Sequence, residues 1–595
     1  MALAADSSSA SGGERPPPGD RAASSAAARA FTLAGFWRTA EARWVGLGAT
    51  LFGVLFSYPI LLRLTQPSEQ NDWDFEAELH WVAYYSVRHF HQIPLWNPYK
   101  CGGMAMLGNP QSRIFTPFFA LHLILGAMVG MHLEITMHLA IAWAGGYLFS
   151  RLLGLRPLSA IVAATVFPAG GWFPLHLGEG HLTFLAVAYL PWLLAAIVAA
   201  EERFQVATVA IALLFAFSFG EGAALTVVTE LPVVGLFGVF EMLRRRSLRP
   251  LAAIGVGGTL GLGIAAVMLL PMLEVVRERG RIASGPAWVM WHDLPQIWFA
   301  RDEVQIALQN RFFIEFGSYL SPAFVVLAAA SLIFFRLRII PWLLIGWFLV
   351  LALRGDNCLI PVFTWMRELP FLSIMRLSSR FLIPISFCVG IAAAYGAEEL
   401  QRRFGGPGWW CVAVLLVAGT VDSLLVGTPF LVDAFDRVPH QIPYSADFRQ
   451  FADGDVFDQT VVAQANLGFV HCYEYTPWKT TVVAYNEKGY MGEQYMAGPG
   501  TVQLVMWSPN RLSYRVDAPA RATVVINQNY EPGWSLAQGQ GSVISANGLL
   551  AVSVPAGRQS ITLRYRGTAF ELGALISILS LLIAVALVWS GCRRQ

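Results

Sequence analysis

The sequence predicts a polytopic α-helical membrane protein of about twelve spans with a C-terminal extracytoplasmic β-sandwich. Three observations predict it. Charge is scarce: 41 Lys and Arg plus 39 Asp and Glu make 13% of 595 residues, where soluble domains carry about 25%. Apolar residues make up 55% and the mean hydropathy is +0.51, more than a soluble surface can carry. From about residue 501 the long apolar runs give way to two-residue alternation. The net charge of +2 excludes a strongly basic nucleic-acid binder.

Residues 1–35, rich in Ala, Ser, Gly and Pro, read as a disordered tail. Apolar runs long enough to span then occupy 44–63, 131–150, 157–174, 183–200, 205–219, 222–243, 250–272, 319–335, 338–354, 379–397, 408–427 and 569–590. The segment 114–130 is short and holds Pro117 and His122, so it reads as an interfacial or re-entrant helix. With the N-terminus inside, Arg151, Arg156, Arg203, Arg244 to Arg246, Arg336, Arg338, Arg402, Arg403, Arg593 and Arg594 then all fall on the inner side. The rival topology has 114–130 spanning and the N-terminus outside, which moves 64–113 to the cytoplasm. The preferred division is a transmembrane domain over 36–427 with a large outer loop 64–130, an outer β-rich domain over 428–568, and a final helix and tail over 569–595.

The β-rich domain is read from Val502, Leu504 and Met506; Leu512, Tyr514 and Val516; Val524 and Ile526; and Ile561, Leu563 and Tyr565. Turn sequences at Ser508-Pro509-Asn510, Asn547-Gly548 and Pro555-Ala556-Gly557 separate the runs. Six cysteines contain no CxxC pair, so no zinc or thioredoxin pattern exists. Two pairings stay open, Cys101–Cys358 and Cys101–Cys472.

Candidate chemistry lies on the outer side. A helix is expected from about 72 to 91, lying in the membrane interface with Trp81, Tyr84 and Tyr85 as anchors. Asp72 and Asp74 stand at its start, at headgroup level, where a carboxylate can meet a lipid-borne substrate. A structural role competes: Asn71 can N-cap the helix, with Asp74 closing a capping box. The turn Gly178-Glu179-Gly180-His181 offers Glu179 and His181, either to orient an acceptor or to hold a divalent ion; Glu221 is a weaker candidate. Loop 274–318 holds Arg277, Arg279, Arg281, His292, Asp293, Arg301 and Glu315. A third outer segment carries Arg367, Arg376 and Arg380. Arg376 and Arg380 break the inner-side rule for cations, which an anionic lipid substrate would explain, since guanidinium forks grip phosphate. Snorkelling to ordinary headgroups is the competing explanation, above all for Arg367. The charges are expected at loop ends rather than inside spans.

The acidic motif after the first span is followed by Pro94-Leu95-Trp96-Asn97-Pro98-Tyr99, Asn109-Pro110-Gln111-Ser112, Glu315-Phe316-Gly317-Ser318-Tyr319, Arg376/Arg380 and Tyr530-Glu531-Pro532-Gly533-Trp534. In this order, from about 44 to 590, the chain resembles the bacterial YfhO-like membrane proteins, placed with GT-C-type glycosyltransferases. The resemblance implies a GT-C-like enzyme of the bacterial cytoplasmic membrane. Such an enzyme takes a sugar from a polyprenyl-phosphate donor and passes it, with inversion, to an extracytoplasmic glycan, lipid or protein acceptor. It also implies Asp72 or Asp74 as general base, and Asn97, Asn109, Gln111, Glu179, His181, Glu315, Tyr319, Arg376 and Arg380 as substrate-binding residues. No nucleotide is needed, and the only cofactor left open is a divalent metal ion. The rival classes are a lipid-linked-glycan transporter or flippase, a non-catalytic cell-envelope assembly protein, and a ligase for lipid-diphosphate oligosaccharides.

Overall fold

The computed structural model describes residues 40–593 apart from 69–70, 223, 280–287, 303–312, 357, 370–371, 373–374, 376, 456 and 472–479. The expected N-terminal tail, Arg281 and Arg376 lie outside the described residues. Among the described residues, six helices are long and apolar enough to cross a membrane, and a seventh crossing arises if the bent pair Arg249–Ile264 and Ala266–Arg277 counts as one span. That is fewer than the dozen expected. Three expected spans meet the shorter helices Phe204–Gly220, Pro322–Ile333 and Leu337–Leu353. The helix Leu382–Asp433 absorbs two expected runs across a kink at Gly405, whose φ is 55°. It also runs six residues past the expected domain edge at 427.

The helical part has one large core, in which Phe149, Phe167, Phe237, Trp342 and Phe387 interlock, with smaller apolar clusters beside it. The last helix, Thr568–Arg593, exposes Leu572, Leu575, Ile578, Leu582 and Val585. Such a face fits hydrocarbon, not water. It packs against the bent pair, where the Val267 amide donates to Ser577 Oγ at 3.0 Å. The amide is thereby satisfied inside the helix packing, as a break at membrane depth requires. Segment 114–130 holds the seven-residue helix Phe119–Leu125, ended by Gly126 at φ 92°, and the first turn of the helix Ala127–Leu152. At 1.5 Å per residue the shorter helix is about 10 Å, too short to span.

The C-terminal domain contains the expected antiparallel sandwich. One sheet orders Ser542–Ala546, Leu549–Val554, Ala522–Asn529 and Gln494–Ala497; the other orders Thr501–Ser508, Arg511–Ala518, Gly557–Tyr565 and Trp534–Gln538. Leu512, Tyr514, Val516, Val524, Ile526, Ile561 and Leu563 face inward as the alternation predicts. Leu504 and Met506 do not. Thr501–Ser508 is an edge strand with a register shift between these two residues, and both are exposed. The hairpin at Asn547-Gly548 has φ of 54° and 89°, the double left-handed turn that suits strand twist.

The loop after Asp72–Arg88 is clamped to this sandwich. Trp96 is fully buried in its core, donates Nε1–H to Gln528 Oε1 at 3.0 Å, and packs on Trp534 and Tyr565. The Pro-Leu-Trp-Asn-Pro-Tyr and Pro-Gly-Trp segments thus meet in space. Cys101 is disulfide-bonded, and Cys358, Cys388 and Cys411 are free. The Cys101–Cys358 pairing is therefore excluded, and Cys472 lies outside the described residues.

Candidate functional site

The helix expected over 72–91 runs Asp72–Arg88 and is buried within the protein over most of its length, and its start is not a capping box. Asn71 has φ 54° and ψ −130°, and its side chain makes no cap bond. Its Nδ2 instead donates to Glu179 Oε2 at 2.5 Å. A true N-cap needs extended backbone and a side-chain oxygen free to accept from the first turn. Here the side chain is committed to the neighbouring turn. Asp74 does not close a box either. It is fully buried and accepts from the amides of Gln459 and Thr460, both at 2.9 Å. It caps the helix Gln459–Gln464 of the C-terminal domain from across the interface.

The two neighbouring acids therefore face different surroundings. Asp72 lies at the junction with the Gly178–His181 turn. Its amide donates to the Glu179 carbonyl at 3.1 Å, and Trp73 Nε1–H donates to the Gly178 carbonyl at 3.1 Å. His181 Nε2 stands 3.2 Å from Asp72 Oδ2. His181 Nδ1 is 2.7 Å from His176 Nδ1. A carboxylate only accepts, so the His181 proton sits on Nε2, and His176 donates to His181 Nδ1. Asp72 is thus held by a two-imidazole relay. The Phe184 ring lies against both histidines, and Arg380 stacks over the same ring at 4.3 Å. Arg380 in turn reaches Glu315 Oε1 at 3.1 Å. The structure so brings together Asp72, Glu179, His181, Arg380 and Glu315, with His176 and Phe184 between them; the last two were not foreseen.

The turn owes its glycines to close approach. Gly180 has φ +83°, and a Cβ there would lie 2.2 Å from the Trp73 amide nitrogen. Gly180→Ala is expected to push the helix start off the turn. Thermal unfolding should fall by several degrees, and any activity that needs Asp72 should fall with it. Wild-type melting in this variant would show that the junction tolerates the shift.

The other candidate residues are engaged elsewhere. Asn97 is buried and donates to Glu78 Oε1 at 2.8 Å. Asn109 Oδ1 accepts from the Gln111 amide, and Gln111 Nε2 donates to Glu76 Oε1 at 3.1 Å. Tyr319 donates to Asp422 Oδ2 at 2.7 Å, and Arg301 reaches both. Asn97, Asn109 and Gln111 thus have partners within the loop and the Asp72–Arg88 helix. The expectation that charge avoids the spans also fails: Glu134 and Glu230 are buried within the candidate spans Ala127–Leu152 and Thr226–Arg245. An ionisable residue in an apolar run is the signal that finds such groups.

Burial pushes the Asp74 carboxyl up to about 7, against the opposing pull of the Thr460 and Gln459 amides and Lys100. It pushes Glu493 of the sandwich domain up to about 7 as well. An acid whose folded pKa exceeds its unfolded value gives stability that is complete below about pH 4 and is lost as pH rises through about 7. The melting midpoint, followed by tryptophan fluorescence, is expected to fall between pH 5 and pH 8, and Asp74→Asn should flatten that dependence. A midpoint that rises over this range would reverse the sign.

No family model matches the chain, and no curated protein matches it. Among solved structures, the cryo-EM structure of the arabinofuranosyltransferase AftD from mycobacteria is similar, with a TM-score of 0.45 and 13% identity over 87% of this chain. The chain spans 40% of that protein's length.

Proposed function

We propose that this chain is a membrane glycosyltransferase that takes a sugar from a polyprenyl-phosphate carrier and transfers it on the extracytoplasmic face. The observation that carries the reading is the junction itself. A carboxylate, Asp72, and a guanidinium, Arg380, flank one aromatic and imidazole patch at the start of the buried helix Asp72–Arg88. Asp72 would take the proton of the acceptor hydroxyl as that oxygen attacks the anomeric carbon. The carrier phosphate would leave with the bonding pair, and Arg380 would meet its charge. Arg376 is a second phosphate contact under this reading. Glu179 is held by Asn71, and it would fix the approach of the acceptor.

The outer placement has support beyond the arginine distribution. A disulfide at Cys101 belongs to an oxidising compartment, and Cys101 lies in the loop that carries Asp72. The test is transfer by the purified chain in vesicles. Labelled polyprenyl-phosphate sugars are expected to give product, and soluble nucleotide sugars none. Transfer from nucleotide sugars, or from no lipid-phosphate sugar in a broad panel, would sink the proposal.

A further inference from the structure

A second buried cluster lies away from the Asp72 junction. Glu134 and His138 stand one turn apart on the helix Ala127–Leu152, and Glu221 follows the helix Phe204–Gly220. One ligand atom from each lies within 4.8 Å of the others, and all three side chains are buried. His138 Nδ1 is 2.9 Å from the Glu134 carbonyl. That oxygen only accepts, so Nδ1 carries the ring proton. Nε2 then presents a lone pair, yet it faces Glu221 Oε2 at 2.9 Å. The other Glu221 oxygen already takes the Tyr189 hydroxyl proton at 2.5 Å, and Tyr189 is 3.3 Å from Nε2.

Two acceptors in contact need a positive charge between them, either a second ring proton on His138 or a metal ion. An imidazole whose Nδ1–H is fixed on a carbonyl, with Nε2 turned toward carboxylate oxygens, is the usual arrangement of a metal-bound histidine. Glu134 is oriented by Arg113 and by His122 Nε2 at 3.1 Å. Each of its oxygens keeps a second lone pair. With His138 neutral, Glu134 and Glu221 together outweigh the one Arg113 charge, so an added cation would balance the cluster.

We propose that Glu134, His138 and Glu221 bind a divalent transition-metal ion through one imidazole nitrogen and two carboxylates. Mixed nitrogen and oxygen ligands of this kind suit zinc or manganese. The ion would pin the turn after Gly220 to the helix Ala127–Leu152. The proposal does not depend on the transferase reading, because it is read by metal binding alone. The full chain in detergent, stripped with a chelator, is titrated with Co²⁺. Saturable visible d–d absorption at a single equivalent is expected, with a rise in melting midpoint. Glu221→Gln, which keeps the Tyr189 contact, and His138→Gln should both lose the absorption and the rise, while His181→Gln keeps them. If His138→Gln fails to fold, Glu134→Gln replaces it. Absence of the bands in the wild type, as a proton shared by His138 and Glu221 would give, overturns the proposal. Bands that survive Glu221→Gln, or bands lost in His181→Gln, overturn it too.

Discussion

Asp72→Asn is expected to lower sugar transfer by roughly 10²–10⁴-fold, the usual contribution of a positioned general base. The substitution keeps the side chain's size and leaves an oxygen for His181 Nε2, 3.2 Å away in the wild type. What it removes is the ability to accept a proton. Asp74→Asn is expected to behave differently. Asp74 has both oxygens on the Gln459 and Thr460 amides, so its loss should weaken folding while the protein that does fold keeps its turnover. Initial rates per folded molecule in vesicles, with melting curves on the same samples, separate the two. If Asp72→Asn transfers at the wild-type rate, or if both variants fail in the same way, the division of roles between the acids is wrong.

That division could not be read from the chain. Asp72 and Asp74 share a motif, a helix turn and a local charge pattern. They differ only in what meets them, and the partners of Asp74 lie 385 and 386 residues away. Local pattern did reach a helix beginning at 72 and the sandwich strands, which rest on periodicity, and it named Asp72 and His181 as candidates without saying that they meet. It also marked the Trp96 and Trp534 segments as special without giving the reason, which is that the two rings pack on each other. The cap at Asn71 failed because a local rule was outcompeted by a contact to Glu179, 108 residues on. Glu134 and His138 lie in the apolar run 131–150 that reads as a span, and averaging hydropathy over a span hides a single polar side chain; His176 lies two residues past the run that ends at 174.

Lys100→Met is expected to destabilise the loop and sandwich unit by about 3–5 kcal/mol, the cost of leaving one member of a buried ion pair alone. The chain has only three lysines against 38 arginines, and this one is 1% exposed. Its Nζ donates to Gln459 Oε1 at 2.7 Å, lies 3.6 Å from Glu78 Oε2, and sits 3.9 Å from the centre of the Phe75 ring. A compact ammonium fits that space, and a planar guanidinium does not, so Lys100→Arg should also destabilise, though less. Without the ammonium, Glu78 keeps only the Asn97 amide, and burial already holds its carboxyl above the ordinary range. At roughly 2–4 °C per kcal/mol for a unit of this size, the single variant should melt about 10 °C early. Adding Glu78→Gln should recover most of that, because the double variant buries no charge at the pair. A double variant as unstable as the single one would mean that the lysine acts through Gln459 and Phe75, and that the ion pair contributes little.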